Sequence, residues 1–352
     1  MRKSKFALHF LILLIIAVMA ACRKDEPLPC NKTEEFCCEN FPDEWADAYI
    51  TWFSESRFQY KAPYFNPNNP NEFVYWFRDR ELGILQVIKY NMLTQQKIVL
   101  VDNFKLEGQP KWSRKGWIAL PRASGYVDHI FVVKDNGDSL LQFTTHTANH
   151  YPVWNSSGEK LYWAHSPVLG VPYFFLVQNL YGGSVDTLLR NGDNNGGYSG
   201  NNDISINNQL VSQTLIGNTP HLATADLNSS TLDFNSAVNL QKEFNYDFPS
   251  NSGLCWSADG HSIYFTILGG SKRGLFSINL ITGKKKQIKC FCDTKRYEAL
   301  SCSSDGKYLI AERVDSQLEN DTTGNFTGRI IWSSFICLID LKTLTETKLN
   351  LE

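Results

Sequence analysis

Residues 256–265 read WSADGHSIYF, and a similar phrase recurs along the chain. It consists of an aromatic residue, a Ser or Asn, a turn that ends in Gly, and a run of β-forming residues. Two copies have Ile or Cys at the aromatic position, and two copies are degenerate because they carry Asn where the others have the turn Gly. Including these two, the six copies open at Phe65, Trp112, Trp154, Ile204, Trp256 and Cys302. A repeat of nearly 50 residues is typical of propellers and solenoids.

Each repeat contains four short β-forming segments separated by Asn, Asp and Gly turns. In the fifth repeat, for example, residues 262–266, 274–278 and 286–289 follow the strand that ends at Trp256. Such runs indicate antiparallel hairpins. Four strands per repeat and six repeats predict an all-β, six-bladed β-propeller over residues 61–352. We expect the recurring Trp to pack between blades, because a lone four-stranded sheet leaves both faces open to water.

The phrase Trp-Ser-x-Asp-Gly, with Pro110 and Pro152 shortly before two of its copies, resembles the repeat of TolB-type propellers. The propeller of prolyl oligopeptidases contains a similar motif. The resemblance covers about 290 residues and departs from the pattern in the first and fourth repeats and at Cys302. It implies a protein of the bacterial envelope with a protein partner, and it carries over no binding residues.

The N-terminus, MRKSKFALHFLILLIIAVMAAC, has the order of a secretory signal: a basic start, a short apolar run and small residues. Met19-Ala20-Ala21-Cys22 resembles a bacterial lipobox, which implies cleavage after residue 21 and lipidation of Cys22 with two or three acyl chains. An ordinary cleaved signal and an uncleaved anchor are the alternatives. Residues 1–21 are therefore predicted to be a signal peptide, and residues 22–60 a lipidated tether with a Cys-containing segment.

The predicted location is the outer membrane, to which the N-terminal lipid would attach the protein. Residues 23–26, Arg-Lys-Asp-Glu, are similar to the export tags of surface lipoproteins of Bacteroidota, although a charged tether would look alike. The cell surface and the periplasmic face of the outer membrane are therefore two alternative locations. The net charge of −2 gives no reason to expect a nucleic-acid partner, and we expect a monomer.

Eight cysteines follow Cys22, and an exported chain permits disulfides, whose pairing sequence alone does not give. The eight are Cys30, Cys37, Cys38, Cys255, Cys290, Cys292, Cys302 and Cys337. Cys30 could close a small loop with Cys37 or Cys38. The last four are close enough in sequence to pair around one blade.

Catalytic signals are sparse. No Gly-x-Ser-x-Gly elbow of a serine hydrolase occurs, and GGSKRG at 269–274 is interpreted as a hairpin loop. His146 and His150 are the closely spaced His pair. In a connection that borders a propeller channel they could bind a ligand or a divalent cation, although two polar residues in a solvated loop are the simpler interpretation. The Asp/Asn/Gly-rich stretch 192–203 matches no calcium-binding register and is interpreted as an inter-blade loop.

Aromatic residues predicted to lie in connections could contact a glycan or a protein, or could fill space between blades. They are Tyr126, Tyr173, Tyr198, Phe244 and Tyr246. The sequence therefore predicts a non-enzymatic envelope lipoprotein whose propeller binds a protein or a glycan, with no catalytic residues and no cofactor. The alternative is a glycan lyase-like enzyme that uses a channel His cluster and a divalent cation.

Overall fold

In the computed structural model of the protein, six antiparallel sheets follow one another along the chain. The structure describes residues 52–106, 108–124, 127–145, 148–165, 174–189, 198–216, 219–229, 232–244, 253–268, 273–291, 295–320, 323 and 326–352. The all-β, six-bladed propeller predicted from the repeat is confirmed, with four antiparallel strands in each blade.

The first strand of the described chain, β1 (Trp52–Glu55), belongs to the last sheet. Blade 1 contains β2 (Phe58–Asn66), β3 (Asn69–Asp79), β4 (Ile84–Asn91) and β5 (Lys97–Asp102). Blade 2 contains β6 (Lys111–Trp112), β7 (Trp117–Ser124), β8 (Val127–Lys134) and β9 (Leu141–Gln142). Blade 3 contains β10 (Asn149–Trp154), β11 (Lys160–His165), β12 (Phe174–Asn179) and β13 (Asp186–Leu189).

The second half of the ring repeats this order. Blade 4 contains β14 (Tyr198–Ile204), β15 (Gln209–Ile216), β16 (Thr219–Asp226) and β17 (Asn235–Asn239), followed by the short helix α1 (Leu240–Phe244). Blade 5 contains β18 (Leu254–Trp256), β19 (Ser262–Ile267), β20 (Gly274–Asn279) and β21 (Lys285–Cys290). Blade 6 contains β22 (Lys295–Cys302), β23 (Tyr308–Asn320), β24 (Phe326–Asp340) and β25 (Glu346–Lys348).

The recurring phrase forms the turn after the innermost strand of each blade. In blade 2 the Ser113 hydroxyl accepts hydrogen bonds from the backbone N–H groups of Lys115 and Trp117, at 3.2 and 3.0 Å. The Gly at the end of the turn has positive φ, for example 75° at Gly116, a conformation that Gly adopts without strain. In degenerate blade 4, Asn208 takes this position with φ 58°, which Asn tolerates better than most residues.

Between the third and fourth strands the structure shows a second recurring corner, which the sequence analysis missed. The side chain of the last residue of β4, Asn91, accepts hydrogen bonds from the N–H groups of Leu93 and Thr94. Asn279 and Asp340 form the same turn in blades 5 and 6. Asx turns of this kind explain why Asn or Asp ends these strands.

Six buried apolar clusters lie between the blades, one at each interface of the ring. As predicted, the recurring Trp packs against the preceding blade: Trp112 lies in the cluster with Val74 of blade 1, and Trp256 in the cluster with Val211 of blade 4. The cluster that contains Phe65 of blade 1 and Ile310 of blade 6 closes the ring.

The first and last strands of the described chain meet in blade 6. β1 pairs in parallel with the first half of β24, with Trp52 opposite Arg329, and β25 pairs antiparallel with the second half. Strands from both ends therefore complete the outer edge of the last blade. The propeller sheets include residues 52–55 and 58–60, which the sequence analysis assigned to the N-terminal segment.

The strands of each blade alternate in direction, so the ring has two different faces. The turns from first to second and from third to fourth strand lie on one, which we call the turn face. The opposite side, where the chain passes from blade to blade, is the connection face. Neighbouring corners of the turn face touch: the Asn68 amide donates to the Arg114 carbonyl at 2.9 Å, and a Cβ on Gly158 would lie 2.8 Å from Arg114 N.

Replacing Trp256 with Ala should lower the free energy of unfolding by about 3–5 kcal/mol, because the indole fills the space between blades 4 and 5. Chemical denaturation measures the change. The matched control is Tyr181→Ala: the Tyr181 side chain is 78% exposed, so its loss should cost less than about 0.5 kcal/mol. A Trp256→Ala loss as small as the control's would contradict the inter-blade position.

Candidate functional site

The residue just before the recurring phrase occupies the same position in the innermost strand of every blade, close to the axis of the ring. The six are Tyr64, Lys111, Val153, Asp203, Cys255 and Ser301. Most of them are polar, although most of the residues directly before and after them in the strands are apolar.

One role of these residues is to form hydrogen bonds to the inner edge of a neighbouring blade. An innermost strand pairs on one side alone, which leaves backbone N–H and C=O groups facing the axis that need partners. The Ser301 hydroxyl of blade 6 accepts a hydrogen bond from the N–H of Phe65 in blade 1, at 3.1 Å. Asp203 Oδ2 of blade 4 accepts one from the N–H of Trp256 in blade 5, at 2.9 Å. Polar side chains of one blade thus satisfy the edge of the next.

The same residues also meet across the axis. The Tyr64 hydroxyl donates a hydrogen bond to Asp203 Oδ1 at 3.1 Å, although blades 1 and 4 stand opposite each other in the ring. Lys111 Nζ lies 4.0 Å from the same oxygen, and the Lys111 and Asp203 side chains are only 4% and 9% exposed. At this depth the side chains fill the axis. We call Tyr64, Lys111 and Asp203, together with Gln109, the axial cluster.

Gln109 ties the axial cluster to the surrounding backbone. Its amide nitrogen donates to the Pro63 carbonyl at 2.7 Å and to the Leu300 carbonyl at 3.0 Å, while its oxygen accepts a hydrogen bond from Lys111 Nζ at 2.8 Å. One side chain of blade 2 therefore joins the innermost strands of blades 1 and 6.

Burial shifts the titration of the axial cluster. It raises the pKa of Asp203 and lowers the pKa of Lys111, and the attraction between the two opposes both shifts. It also raises the pKa of Tyr64, an effect that the nearby Asp203 carboxylate increases. All three shifts follow from the cost of a charge in a water-poor site.

Toward the connection face, the innermost strands end in side chains that are half-buried and charged or titratable. Lys61 of blade 1, His150 of blade 3, and Arg296 and Glu298 of blade 6 lie there. We call these four residues the rim. The axial cluster lies across the axis below the rim, and we call the end of the axis that the rim borders on the connection face the recess.

The structure describes one member of the predicted histidine pair, His150. His150 Nδ1 lies 3.3 Å from Asp128 Oδ2, and burial lowers the pKa of His150 while Asp128 opposes that shift. His146, the other member of the predicted pair, lies outside the described residues. Within the described ranges no group of three or more His, Cys, Asp or Glu side chains is placed to hold a metal ion.

Three further histidines, His165, His221 and His129, lie at the connection-face ends of their strands. His165 Nδ1 is 3.1 Å from the side-chain oxygen of Asn149, and His221 Nδ1 is 2.6 Å from the Ser236 hydroxyl. His129 is at the start of β8, and its Nδ1 is buried with no hydrogen-bond partner among the described residues. The connection face therefore carries these three histidines and His150.

The prediction of an inter-blade loop over residues 192–203 is partly wrong. Residues 198–203 belong to β14, and Asp203 points into the axial cluster rather than toward solvent. Its composition misled the prediction, because the innermost strand of blade 4 is rich in Asn and Asp, and carries Asn202 where the other blades carry Pro or Leu. Residues 192–197 lie outside the described ranges.

Two of the predicted contact aromatics are not in loops. Tyr198 begins β14, and Phe244 ends α1, where it is 5% exposed and packs in the cluster between blades 4 and 5. The space-filling interpretation is therefore right for Phe244. Tyr126, Tyr173 and Tyr246 lie outside the described residues.

The cysteines divide into paired and free groups. Cys290 is disulfide-bonded, whereas Cys255, Cys302 and Cys337 are free, so the pairing of all four last cysteines around one blade is wrong. Cys22, Cys30, Cys37, Cys38 and Cys292 lie outside the described residues, as does the predicted signal peptide 1–21.

Next to the rim, Glu312 is a buried carboxyl that no pattern in the sequence singles out. It stands opposite Glu298 in the β22–β23 pair, and its Oε2 accepts a hydrogen bond from the N–H of Ala62 at 2.9 Å. Burial, together with the like charge of Glu298, raises the pKa of Glu312 to about 8, and Lys61 and Arg296 offset part of the shift.

Glu312 should make stability depend on pH. The folded state keeps its proton up to about pH 8, whereas the unfolded chain releases it near pH 4.5. The free energy of unfolding therefore decreases as pH rises through this window, by roughly 2–5 kcal/mol in total. Glu312→Gln, which keeps the bond to Ala62, should remove this fall. The control Glu159→Gln, at a side chain 53% exposed, should keep it. Equal unfolding curves for Glu312→Gln and wild type from pH 5 to 9 would contradict the assignment.

Comparisons with known proteins agree with the fold. No protein-family model matches the chain, and no curated protein matches it. Among solved structures, the β-propeller domain of the Trilobed protease from Pyrococcus furiosus is similar at 11% identity and a TM-score of 0.51, with 84% of this chain and 96% of that chain covered. Prolyl oligopeptidase B from Galerina marginata matches at 10% identity and a TM-score of 0.50, with 83% of this chain and 51% of that chain covered.

TolB from Acinetobacter baumannii also matches, at 13% identity and a TM-score of 0.49, with 76% of this chain and 65% of that chain covered. The chain thus spans only part of the length of TolB and of the prolyl oligopeptidase. In the part of the chain that the structure describes, no helix is long and apolar enough to cross a membrane. At these identities the likeness to the Trilobed protease domain and to the prolyl oligopeptidase shows the β-propeller fold alone.

Proposed function

We propose that this protein is a non-enzymatic binding module of the bacterial envelope, anchored to the outer membrane by lipid on Cys22. Its ligand is a protein segment or a glycan that binds in the recess of the connection face. The observation that supports the proposal most is the axial cluster, whose contacts across the axis place polar side chains beneath the recess.

The chemistry of the rim fits a hydrogen-bonding ligand. Lys61 and Arg296 offer cationic donors, Glu298 offers a carboxylate, and His150 offers a ring nitrogen; all four are half-buried, so water has already been partly removed from them. Partly desolvated polar groups on rigid strands bind a polar partner with little loss of side-chain entropy.

The position of β1 suits a tether. β1 runs parallel to β24, so it begins at the connection-face end of blade 6. The residues from 23 to 51 that separate Cys22 from β1 can span at most roughly 100 Å when extended. The anchor would therefore hold the recess near the membrane while leaving the propeller free to turn toward a partner.

The alternative, a glycan lyase-like enzyme with a divalent cation, keeps only His150 and Asp128 as a described His–carboxylate pair. His146, its further ligand, lies outside the described residues. No contact in the described chain favours it over binding, so it stays a second prediction.

A pull-down from intact envelopes, with the lipid anchor retained, tests the proposal. The double variant His150→Ala with Arg296→Ala should recover the bound protein or glycan at least about 10-fold less well, since losing about 1.4 kcal/mol of contacts has that effect. The matched control is Lys115→Ala with Lys307→Ala, which removes two exposed cations of the turn face. Loss of the ligand in the control alone, equal capture by all three proteins, or no captured ligand would contradict the proposal.

A further inference from the structure

The closest approach of an amine to a carboxyl group deep in the ring is that of Lys111 and Asp203. Lys111 Nζ and Asp203 Oδ1 are 4.0 Å apart, and both side chains are more than nine-tenths buried. We propose that these two side chains condense into an isopeptide bond, which would join blade 2 to blade 4 across the axis. This modification is independent of the proposed binding function.

The surrounding contacts hold both reactants in place. Gln109 Oε1 accepts a hydrogen bond from Lys111 Nζ at 2.8 Å, and the Lys111 ammonium also lies 4.6 Å from the centre of the Tyr64 ring. Condensation requires the Lys111 side-chain torsions to change so that Nζ approaches the carboxyl carbon. Holding two groups this close replaces a bimolecular collision with a unimolecular step.

Two donors are directed at the carboxyl oxygens of Asp203. The Tyr64 hydroxyl donates to Oδ1 at 3.1 Å and the Trp256 N–H donates to Oδ2 at 2.9 Å. Donors in these positions polarise the carboxyl group and stabilise the negative charge that develops on oxygen when a nucleophile adds to its carbon.

The protonation states also suit condensation. Burial raises the pKa of Asp203 and lowers the pKa of Lys111, which favours the pair of neutral forms, carboxylic acid and free amine. These are the forms that react, since a carboxylate resists addition and an ammonium has no lone pair. The buried site also keeps out the water that would reverse the reaction.

In the step itself, the lone pair of Lys111 Nζ adds to Cγ of protonated Asp203, and a C–N bond forms. A proton passes from the nitrogen to the departing hydroxyl group, with the Tyr64 hydroxyl as the relay. The C–O bond then breaks and one water molecule leaves. The atoms balance without an oxidant or a metal: an amine and a carboxylic acid give an amide and water.

Mass spectrometry of the purified full-length chain, reduced and then digested with trypsin, tests the proposal. Acylated Lys111 resists trypsin, so the expected product is a branched peptide in which residues 106–114 are joined to residues 191–242, at one water less than the sum of the two. Recovery of 106–111 and 191–242 as separate peptides, both from fresh protein and after prolonged incubation, would overturn the proposal and leave a noncovalent pair.

Two variants separate the chemistry from folding. Lys111→Arg keeps the positive charge but has no amine to acylate, so the branched peptide should be absent. Tyr64→Phe keeps the ring and removes the relay, so the branched peptide should form at least about 100-fold more slowly. Circular dichroism confirms that each variant is folded. Formation at the wild-type rate in Tyr64→Phe would overturn the assigned role of Tyr64, and a branched peptide in Lys111→Arg would overturn the site.

Discussion

Each blade of this protein is a four-stranded sheet with two largely apolar faces, and only its neighbours keep those faces from water. Burial of apolar surface contributes roughly 25 cal/mol per Å², so a blade with an open flank is unstable and the ring must close. The six inter-blade clusters meet this requirement. The closing one joins Phe65 of blade 1 to Ile310 and Ile336 of blade 6, and the position of every other site depends on it.

Closing the ring creates a second requirement at its centre. Six innermost strands bring their unpaired edges together, and the structure satisfies them with Ser301, Asp203, Gln109 and Glu312, each of which bonds to the backbone of another blade. One of the side chains that form hydrogen bonds to these backbone groups, Asp203, also contacts side chains of other blades across the axis, beneath the recess. In this protein the candidate binding surface is therefore a consequence of how the blades meet.

The repeat in the sequence was sufficient to predict the ring, since Trp112, Trp154 and Trp256 mark the same inter-blade position and Gly116 or Gly260 the same turn. The axial cluster could not be predicted in this way. Tyr64, Lys111 and Asp203 share a position in the repeat but no chemistry, and their contact crosses the ring between residues 139 apart in sequence. Asp203 also lies in an Asn- and Gly-rich stretch that predicts a loop, and burial, which sequence does not display, decides its role.

Amide hydrogen exchange, resolved strand by strand, tests ring closure most directly. If the cluster between blades 6 and 1 is intact, β3 of blade 1 and β23 of blade 6 should exchange with the same free energy of opening as β11 and β15 in the middle of the chain, because all blades unfold together. Exchange in β3 and β23 at several kcal/mol below the central blades would show that the first and last sheets open separately, and would contradict a closed ring.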